Sequence, residues 1–271
     1  MSRYKGPVRA VIFDWAGTVV DFGSRAPARG FVELLRRHGV GLTEAQARGP
    51  MGLHKRNHIA ELLRIPDVIE QWRVRTGSDP GEVDIDRLYA EFVPLQSSIL
   101  AEHADIIPGC LKTVGHLRSE NILIGSTTGY SRAMMDVLEP VAQIAGFRPD
   151  AVVTADEVPQ GRPAPWMALL AAMRLGVYPA EACVKVGDTI ADIGEGLNAG
   201  MWTIGVTETG NEFGYSEAEL EALSATRREA LGSHAQERLK QAGAHFGITG
   251  VDALMPVIHE INRRLARGER P

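Results

Sequence analysis

The sequence has little of what marks a secreted, membrane-bound or nucleic-acid-binding protein. Its 271 residues include only two cysteines, Cys110 and Cys183, too few for a disulfide framework or a CxxC metal site. No apolar run approaches the ~20 residues that a membrane-spanning helix needs, and the first residues lack an apolar signal region. The net charge of −5 argues against a basic surface for nucleic acid. We therefore expect a cytoplasmic protein with neither nucleic acid nor membrane as a partner.

What the sequence does contain is an alternation of apolar runs and helical patterns. Five short apolar runs are typical of strands buried on both faces. They lie at 8–14, 122–125, 151–154, 182–186 and 202–206. Because helical patterns separate the later runs, we predict an α/β fold with a doubly wound parallel sheet. The tail, 216–267, is predicted to be mainly helical, with a turn and a short apolar link before its last helix.

A long helical stretch separates the first predicted strand from the second. From residue 28 to about residue 100, apolar side chains recur at helical spacing and no strand pattern interrupts them. Thr43 is predicted to cap one of these helices, and Pro66 to begin another. We therefore predict a helical cap domain, 23–102, inserted into a core domain formed by 1–22 and 103–271.

Polar residues follow four of the predicted strands near the point where each strand ends. They are Asp14, the hydroxyls of 126–128, Arg162 and Asp188. The carboxyl ends of parallel strands meet at one edge of a sheet, where open α/β sheets bind their ligands. Asp14 and Asp188 together could hold a hard divalent cation such as Mg²⁺. Taken singly, each of these residues could instead be a helix cap, a turn residue or a solvated surface group.

Lys55 is a candidate nucleophile in the helical stretch. It follows a break at 49–52, where two glycines flank a proline and a methionine, and Arg56 is next to it. Neighbouring cations and desolvation lower the pKa of a lysine and free its amine to attack a carbonyl. The alternative is an ordinary solvated lysine on a helix surface.

Two motifs resemble those of the haloacid dehalogenase superfamily. The sequence DWAGT, which begins at Asp14, resembles the first motif, and GDTIAD, which contains Asp188 and Asp192, resembles the fourth. The resemblance implies that Asp14 is the nucleophile that accepts a phosphoryl group and is also a ligand of Mg²⁺. It also implies that Asp188 and the backbone carbonyl of Ala16 bind that Mg²⁺ and that Asp192 supports the site. Most phosphatases of the superfamily have an acidic residue at the place of Ala16, so this chain is expected to lack their general acid.

The sequence MGLHKRNH, from Met51 to His58, resembles the cap motif of the phosphonoacetaldehyde hydrolase family within that superfamily. The resemblance implies that Lys55 forms a Schiff base with an aldehyde and that His58 assists proton transfer. Met51 would contact the substrate. An imine nitrogen can accept electrons from a departing carbon, so this chemistry would replace the acid that Ala16 cannot supply.

The core motifs STTGY and GRP resemble the same family. By resemblance, Thr128 and Arg162 bind the phosphoryl group and Tyr130 lines the pocket. The implied activity is hydrolysis of the carbon–phosphorus bond of phosphonoacetaldehyde, a small phosphonate substrate, to acetaldehyde and phosphate with Mg²⁺. The resemblance also suggests a homodimer through the cap, with Trp72 or Tyr89 as candidate interface residues unless they pack in the core.

Two other functions fit parts of the pattern. A Mg²⁺-dependent phosphatase or phosphomutase of the same superfamily would use the same strand ends, but Ala16 argues against it. A non-catalytic phosphate-binding protein could reuse the fold, although the polar strand ends are intact. Ser24 departs from the family pattern, which often has a cysteine near that place.

Overall fold

The structure, a computed structural model, describes residues 3–271 and contains one six-stranded parallel sheet. The strands are β1 (Ala10–Phe13), β2 (Leu123–Thr128), β3 (Ala151–Thr154), β4 (Cys183–Gly187), β5 (Trp202–Val206) and β6 (Phe246–Ile248). Their order is β3-β2-β1-β4-β5-β6, and each neighbouring pair is parallel. The sheet therefore runs outward from β1 in both directions, which confirms the predicted doubly wound α/β fold.

Seven helices accompany the sheet outside the long helical stretch. They are α6 (Cys110–Ser119), α7 (Arg132–Ile144), α8 (Trp166–Arg174), α9 (Ile190–Asn198), α10 (Glu217–Glu221), α11 (Ala225–Gln241) and α12 (Leu254–Ala266). Apolar side chains of β1 point alternately to two clusters, Val11 and Phe13 to one and Ala10 and Ile12 to the other. Both faces of the central strand are thus covered, as its continuous apolar run predicts.

The stretch between β1 and α6 forms five α-helices, which we call the cap. They are α1 (Arg25–Arg37), α2 (Glu44–Arg48), α3 (Lys55–Leu62), α4 (Pro66–Thr76) and α5 (Glu82–Leu100). Thr43 accepts a hydrogen bond from the backbone of Gln46 and caps α2, and Pro66 is the first residue of α4, both as predicted. Trp72 is buried in the cap core, which removes it as an interface residue. The domain boundaries at 22/23 and 102/103 stay a prediction.

Two sequence-based assignments of strands were wrong. The apolar link in the tail is the edge strand β6, which pairs with β5. Because it has only three residues and contains Gly247, it shows no alternating pattern. Strand β2 does not end at residue 125 but continues to Thr128. The polar side chains of Ser126 and Thr127 can be buried there because Trp15 and Glu195 form hydrogen bonds with them. None of the helices among residues 3–271 is long and apolar enough to cross a membrane.

Candidate active site

A small cavity lies between the carboxyl ends of the central strands and the cap. The core contributes five of the residues that the sequence predicts for the site, namely Asp14, Ala16, Thr128, Tyr130 and Arg162. The cap contributes Met51 and Lys55, and Ser24 also lines the cavity. The cavity has a volume of about 20 Å³. A larger cavity of about 300 Å³ beside Phe22 contains none of the predicted residues.

Asp14 is placed by the end of β1. Its backbone N–H donates to the carbonyl of Val186 in β4 at 2.9 Å, which extends the strand pairing by one residue. Its carboxylate is buried and lies 2.7 Å from Nη2 of Arg162. Burial raises the pKa of Asp14, and the Arg162 guanidinium acts in the opposite direction. The carboxylate is therefore poorly solvated and partly neutralised, a condition suited to a nucleophile.

Three buried carboxylates meet at this edge of the sheet. Oxygens of Asp14, Asp188 and Asp192 all lie within 4.8 Å of one another. Burial and the charges of the other two acids raise the pKa of Asp188 well above its usual value. Gly17, with φ at +80°, approaches the Asp188 carboxylate so closely that a side chain there would collide with it. This triad could hold a divalent metal ion.

The three carboxylates differ in how much charge is already neutralised. Asp192 lies 2.6 Å from Nζ of Lys185 and 3.0 Å from Nη1 of Arg162, and these cations lower its pKa although burial opposes them. Asp188 has no ion-pair partner among residues 3–271 and accepts only hydrogen bonds, one from the backbone of Asn211 at 2.8 Å. Uncompensated negative charge is thus concentrated on Asp188, where a cation would be stabilised.

The loop before α3 packs so closely against the core that two glycines at the contact, one in the loop and one in the core, leave no room for side chains. Gly52, with φ at +88°, lies against Thr189, and a side chain there would collide with the threonine hydroxyl. On the other side, a Cβ at Gly129 would lie 2.6 Å from the carbonyl oxygen of Leu53. This close approach carries the start of α3, and with it Lys55, to the strand ends.

Lys55 is the first residue of α3 and is buried, with only 4% of its surface exposed. Its Nζ lies 4.8 Å from the ring centroid of Tyr130 and 5.8 Å from that of Phe31. Burial lowers the pKa of Lys55 to about 8, although the charge of Asp14 acts in the opposite direction. Roughly a tenth of the amine is therefore neutral at pH 7 and able to attack a carbonyl.

His58 lies one turn along α3 from Lys55 and is not among the residues that line the cavity. Its ring stacks on Phe31 with centroids 3.8 Å apart, and Nε2 lies 2.8 Å from the carbonyl oxygen of Ala47. Burial and the charge of Lys55 lower the pKa of His58 well below its usual value. Because Nε2 must donate to the carbonyl, Nδ1 carries the lone pair, and it has no protein partner in the described chain. Its role in proton transfer stays a prediction.

The three hydroxyls at the end of β2 are used differently. Ser126 accepts a hydrogen bond from the indole of Trp15, and Thr127 donates to Glu195 at 3.0 Å. Thr128 alone of the three lines the cavity, and its oxygen accepts the backbone N–H of Tyr130 at 3.1 Å. Its hydroxyl hydrogen is therefore available to a ligand.

Arg162 is buried and surrounded by acceptors from three elements. Its Nη2 lies 2.7 Å from Asp14, and its Nε donates to Glu195 at 2.9 Å. Burial opposes its charge, but the surrounding carboxylates raise the pKa of Arg162 further above its usual value. Sequence reasoning missed Glu195 and Lys185, which lie below the cavity. Lys185 was the signal that could have revealed this pair, because a lysine inside an apolar strand requires a buried acid as its partner.

Comparisons with known proteins show the family to which the chain belongs. A family profile for haloacid dehalogenase-like hydrolases matches residues 8–200. A phosphonoacetaldehyde hydrolase of Syntrophobacter fumaroxidans (strain DSM 10017 / MPOB) is 47% identical over 268 residues, covering 99% of this chain and 97% of that protein. Another, of Paraburkholderia phytofirmans, is 48% identical and covers 97% and 99%, respectively. The crystal structure of a phosphonoacetaldehyde hydrolase like protein from Oleispira antarctica has a TM-score of 0.99 at 43% identity, covering 100% of this chain and 98% of that one.

Proposed function

The chain belongs to the haloacid dehalogenase-like hydrolases, and from that premise we propose that it hydrolyses the carbon–phosphorus bond of phosphonoacetaldehyde to acetaldehyde and phosphate. The observation that carries the proposal is the meeting of two nucleophiles in one cavity. Lys55 comes from the cap and Asp14 from the core, and Ala16 beside them offers no proton donor. That combination suits an aldehyde that also carries a phosphonate.

The first half of the proposed reaction uses Lys55. Its neutral amine attacks the aldehyde carbon, water leaves, and an imine forms. The protonated imine nitrogen draws electrons from the carbon–phosphorus bond, so the carbon departs as an enamine rather than as a carbanion. The family resemblance assigns assistance in proton transfer to His58, whose Nδ1 has no partner in the described chain and which lies one turn of α3 from Lys55. No acid at residue 16 is needed on this route.

The second half uses Asp14. Its carboxylate attacks phosphorus in line and becomes an aspartyl-phosphate, while Arg162 and the hydroxyl of Thr128 stabilise the phosphoryl oxygens. The enamine takes up a proton at the carbon that carried phosphorus and becomes an imine. Water hydrolyses the aspartyl-phosphate to release phosphate, and a second water hydrolyses the imine on Lys55 to release acetaldehyde and the free amine. Met51 and Tyr130 enclose the two-carbon portion of the substrate.

Mg²⁺ is the cofactor that we propose for this site. Four buried carboxylates are accompanied by only two cations, and Asp188 has no ion-pair partner among residues 3–271, so a divalent ion would add positive charge that this cluster lacks. The carboxylates are Asp14, Asp188, Asp192 and Glu195, and the cations are Arg162 and Lys185. Asp14, Asp188 and the carbonyl of Ala16 would hold the ion, and Asp192 would support them. When bound, Mg²⁺ supplies positive charge to the phosphoryl oxygens.

The direct test is acetaldehyde release from phosphonoacetaldehyde, followed through an alcohol dehydrogenase that consumes NADH. We expect turnover that requires Mg²⁺ and stops when a chelator is added. Phosphate release from simple esters without acetaldehyde would instead indicate a phosphatase. Phosphate binding in a titration calorimeter with no turnover of any phosphonate would indicate a non-catalytic binding protein.

The pH dependence of kcat/KM follows from the pKa of Lys55. Only the neutral amine attacks the aldehyde, and the neutral fraction rises as pH rises through about 8. We therefore expect kcat/KM to increase by about tenfold per pH unit below that value and to level off above it. The measurement is acetaldehyde release over a pH series at saturating Mg²⁺. A rate that stays flat across that range would contradict attack by this amine.

Two further properties expected from the sequence belong to the proposal. We propose a homodimer formed through the cap and a location in the cytoplasm. Val74 and Val83, both in the cap, expose 76% and 82% of their surfaces and supply apolar area suited to an interface. Tyr89 is half-buried beside His54 and remains a candidate there. Light scattering at micromolar concentration should give the mass of two chains, and a single-chain mass would contradict the dimer.

A further inference from the structure

Two charged residues lie directly below the cavity without lining it. Lys185 belongs to β4 and Glu195 to α9, and both are fully buried. Nζ of Lys185 lies 2.6 Å from Asp192 and 3.5 Å from Glu195. Apolar residues of similar volume would often be at least as stable as a buried ion pair, so the presence of this pair is weak evidence for a purely structural role.

Glu195 contacts Arg162 through Nε, whereas Asp14 contacts it through Nη2. The three nitrogens of Arg162 contact three different carboxylates, two on α9 and one directly after β1. Nε donates to Glu195 at 2.9 Å, Nη1 lies 3.0 Å from Asp192, and Nη2 lies 2.7 Å from Asp14. Because the guanidinium is planar, three such contacts determine both the position and the orientation of its plane.

The same contacts explain why arginine is suited to this position. The ammonium group of a lysine at 162 would present a single nitrogen and could not reach three separated acceptors. Nη2 also donates to the carbonyl of Thr127 at 2.8 Å, and the hydroxyl of Thr127 donates to Glu195. Removing Glu195 would therefore free the Nε side of Arg162 while leaving its partners at the cavity in place.

We propose that Glu195 is a positioning residue, which turns the guanidinium of Arg162 toward Asp14 and the phosphoryl group, and that Lys185 compensates the charge that this requires. Lys185 contacts both acids of α9, so Glu195 can be buried as an anion without repelling Asp192 unopposed. The inference rests on the proposed function only in that the group transferred to Asp14 is a phosphoryl group.

The test is a double-mutant cycle between the two residues. Glu195→Gln keeps the shape of the side chain and removes its charge, and Arg162→Lys removes the three-sided contact. We expect Glu195→Gln to lower kcat by about 10- to 100-fold while KM changes by less than about threefold. The reason is that the variant would misorient the guanidinium of Arg162, whose charge is needed most in the transition state. If Glu195 acts through Arg162, the double variant should be no slower than Arg162→Lys alone.

A second arm of the experiment does not depend on the substrate. Inorganic phosphate is titrated calorimetrically into the same four proteins with Mg²⁺ present, and we expect the two losses of affinity to be non-additive in the same way. If the wild type fails to release acetaldehyde but the phosphate cycle is non-additive, the proposed substrate is wrong and the inference about Glu195 holds. If the two losses multiply in the double variant, Glu195 does not act through Arg162.

Two controls separate positioning from a general loss of stability. Glu208→Gln breaks another Glu–Arg pair, with Arg228 at 2.5 Å, that does not contact Arg162, and it should leave kcat unchanged. Thermal melting identifies any variant that fails to fold. In that case Glu195→Asp, which keeps the charge but shortens the reach by one methylene, replaces Glu195→Gln with the same expected loss. A folded Glu195→Gln variant with kcat within about twofold of the wild type would overturn the inference.

Discussion

Replacing Lys55 by arginine or methionine is expected to reduce acetaldehyde release from phosphonoacetaldehyde by roughly 10⁴-fold or more, the usual cost of removing a covalent nucleophile. Neither substitute can form an imine, so the carbon would have to leave as an unstabilised carbanion. Arginine keeps a positive charge near Asp14, and methionine keeps the length of the buried chain. A similar loss in both variants would show that the amine itself, and not its charge or packing, is required.

Trapping with borohydride extends this test from rate to chemistry. Borohydride added during turnover should reduce the product imine, leave an ethyl group on Lys55 and inactivate the wild-type protein. Lys112→Met is the matched control, because Lys112 is exposed on α6 and should affect neither activity nor labelling. Acetaldehyde release that persists in the Lys55 variants, or an adduct on another lysine, would contradict the imine at this position.

We also predict the stability of the Lys55→Met variant, and measuring that stability shows whether the variant has folded correctly. Burial lowers the pKa of Lys55 from 10.5 to about 8, so the native state disfavours the protonated amine that the unfolded chain prefers at pH 7. The difference between these two pKa values means that burying Lys55 lowers the free energy of unfolding by roughly 3 kcal/mol at pH 7. Lys55→Met should therefore raise the free energy of unfolding below about pH 8, and the gain should disappear as pH rises toward the unfolded pKa. Urea unfolding at two pH values measures it.

Asp14→Asn is expected to have an effect on turnover as large as that of Lys55, roughly 10⁴-fold or more, because an amide cannot accept a phosphoryl group as the carboxylate does. The amide keeps the shape of the side chain at the end of β1 and can still accept a hydrogen bond from Arg162. Loss of turnover with near-native melting would therefore indicate a chemical role rather than a structural one.

The product trapped in this variant separates the two halves of the reaction. With Asp14 replaced, imine formation on Lys55 can proceed but the carbon–phosphorus bond remains intact. Borohydride should then leave an adduct on Lys55 that still contains phosphorus, whereas the wild type carries only the ethyl group. Mass spectrometry of the peptide with Lys55 distinguishes the two. An ethyl adduct in the Asp14 variant would mean that another group attacks phosphorus.

The parts of the site that lie in local sequence patterns were predictable. Asp14 and Asp188 each follow a continuous apolar run, and such a run indicates a buried parallel strand without reference to the rest of the chain. Their meeting at one edge follows from the topology alone. Lys55 could be singled out because a Gly-Pro-Met-Gly break precedes it, and α3 begins at Lys55 itself.

The remaining features depend on contacts between segments that are distant in the sequence. Glu195 lies within a helix, where a glutamate is ordinarily solvated, and only the packing of α9 against β4 makes it a partner of Lys185. The contact of Gly52 with Thr189 likewise depends on how the cap sits on the core. Strand β6 was missed because its pairing with β5, rather than its own three residues, makes it a strand.

The position of the cavity between cap and core has a consequence for reversal of the reaction. In the proposed reaction, breaking the carbon–phosphorus bond would leave the two products on different parts of the chain, the carbons on Lys55 in the cap and the phosphoryl group on Asp14 in the core. At about 20 Å³ the cavity has room for roughly one water, so product release would require the cap to move away from the core. That movement would separate the carbon fragment from the aspartyl-phosphate, so distance would oppose their recombination.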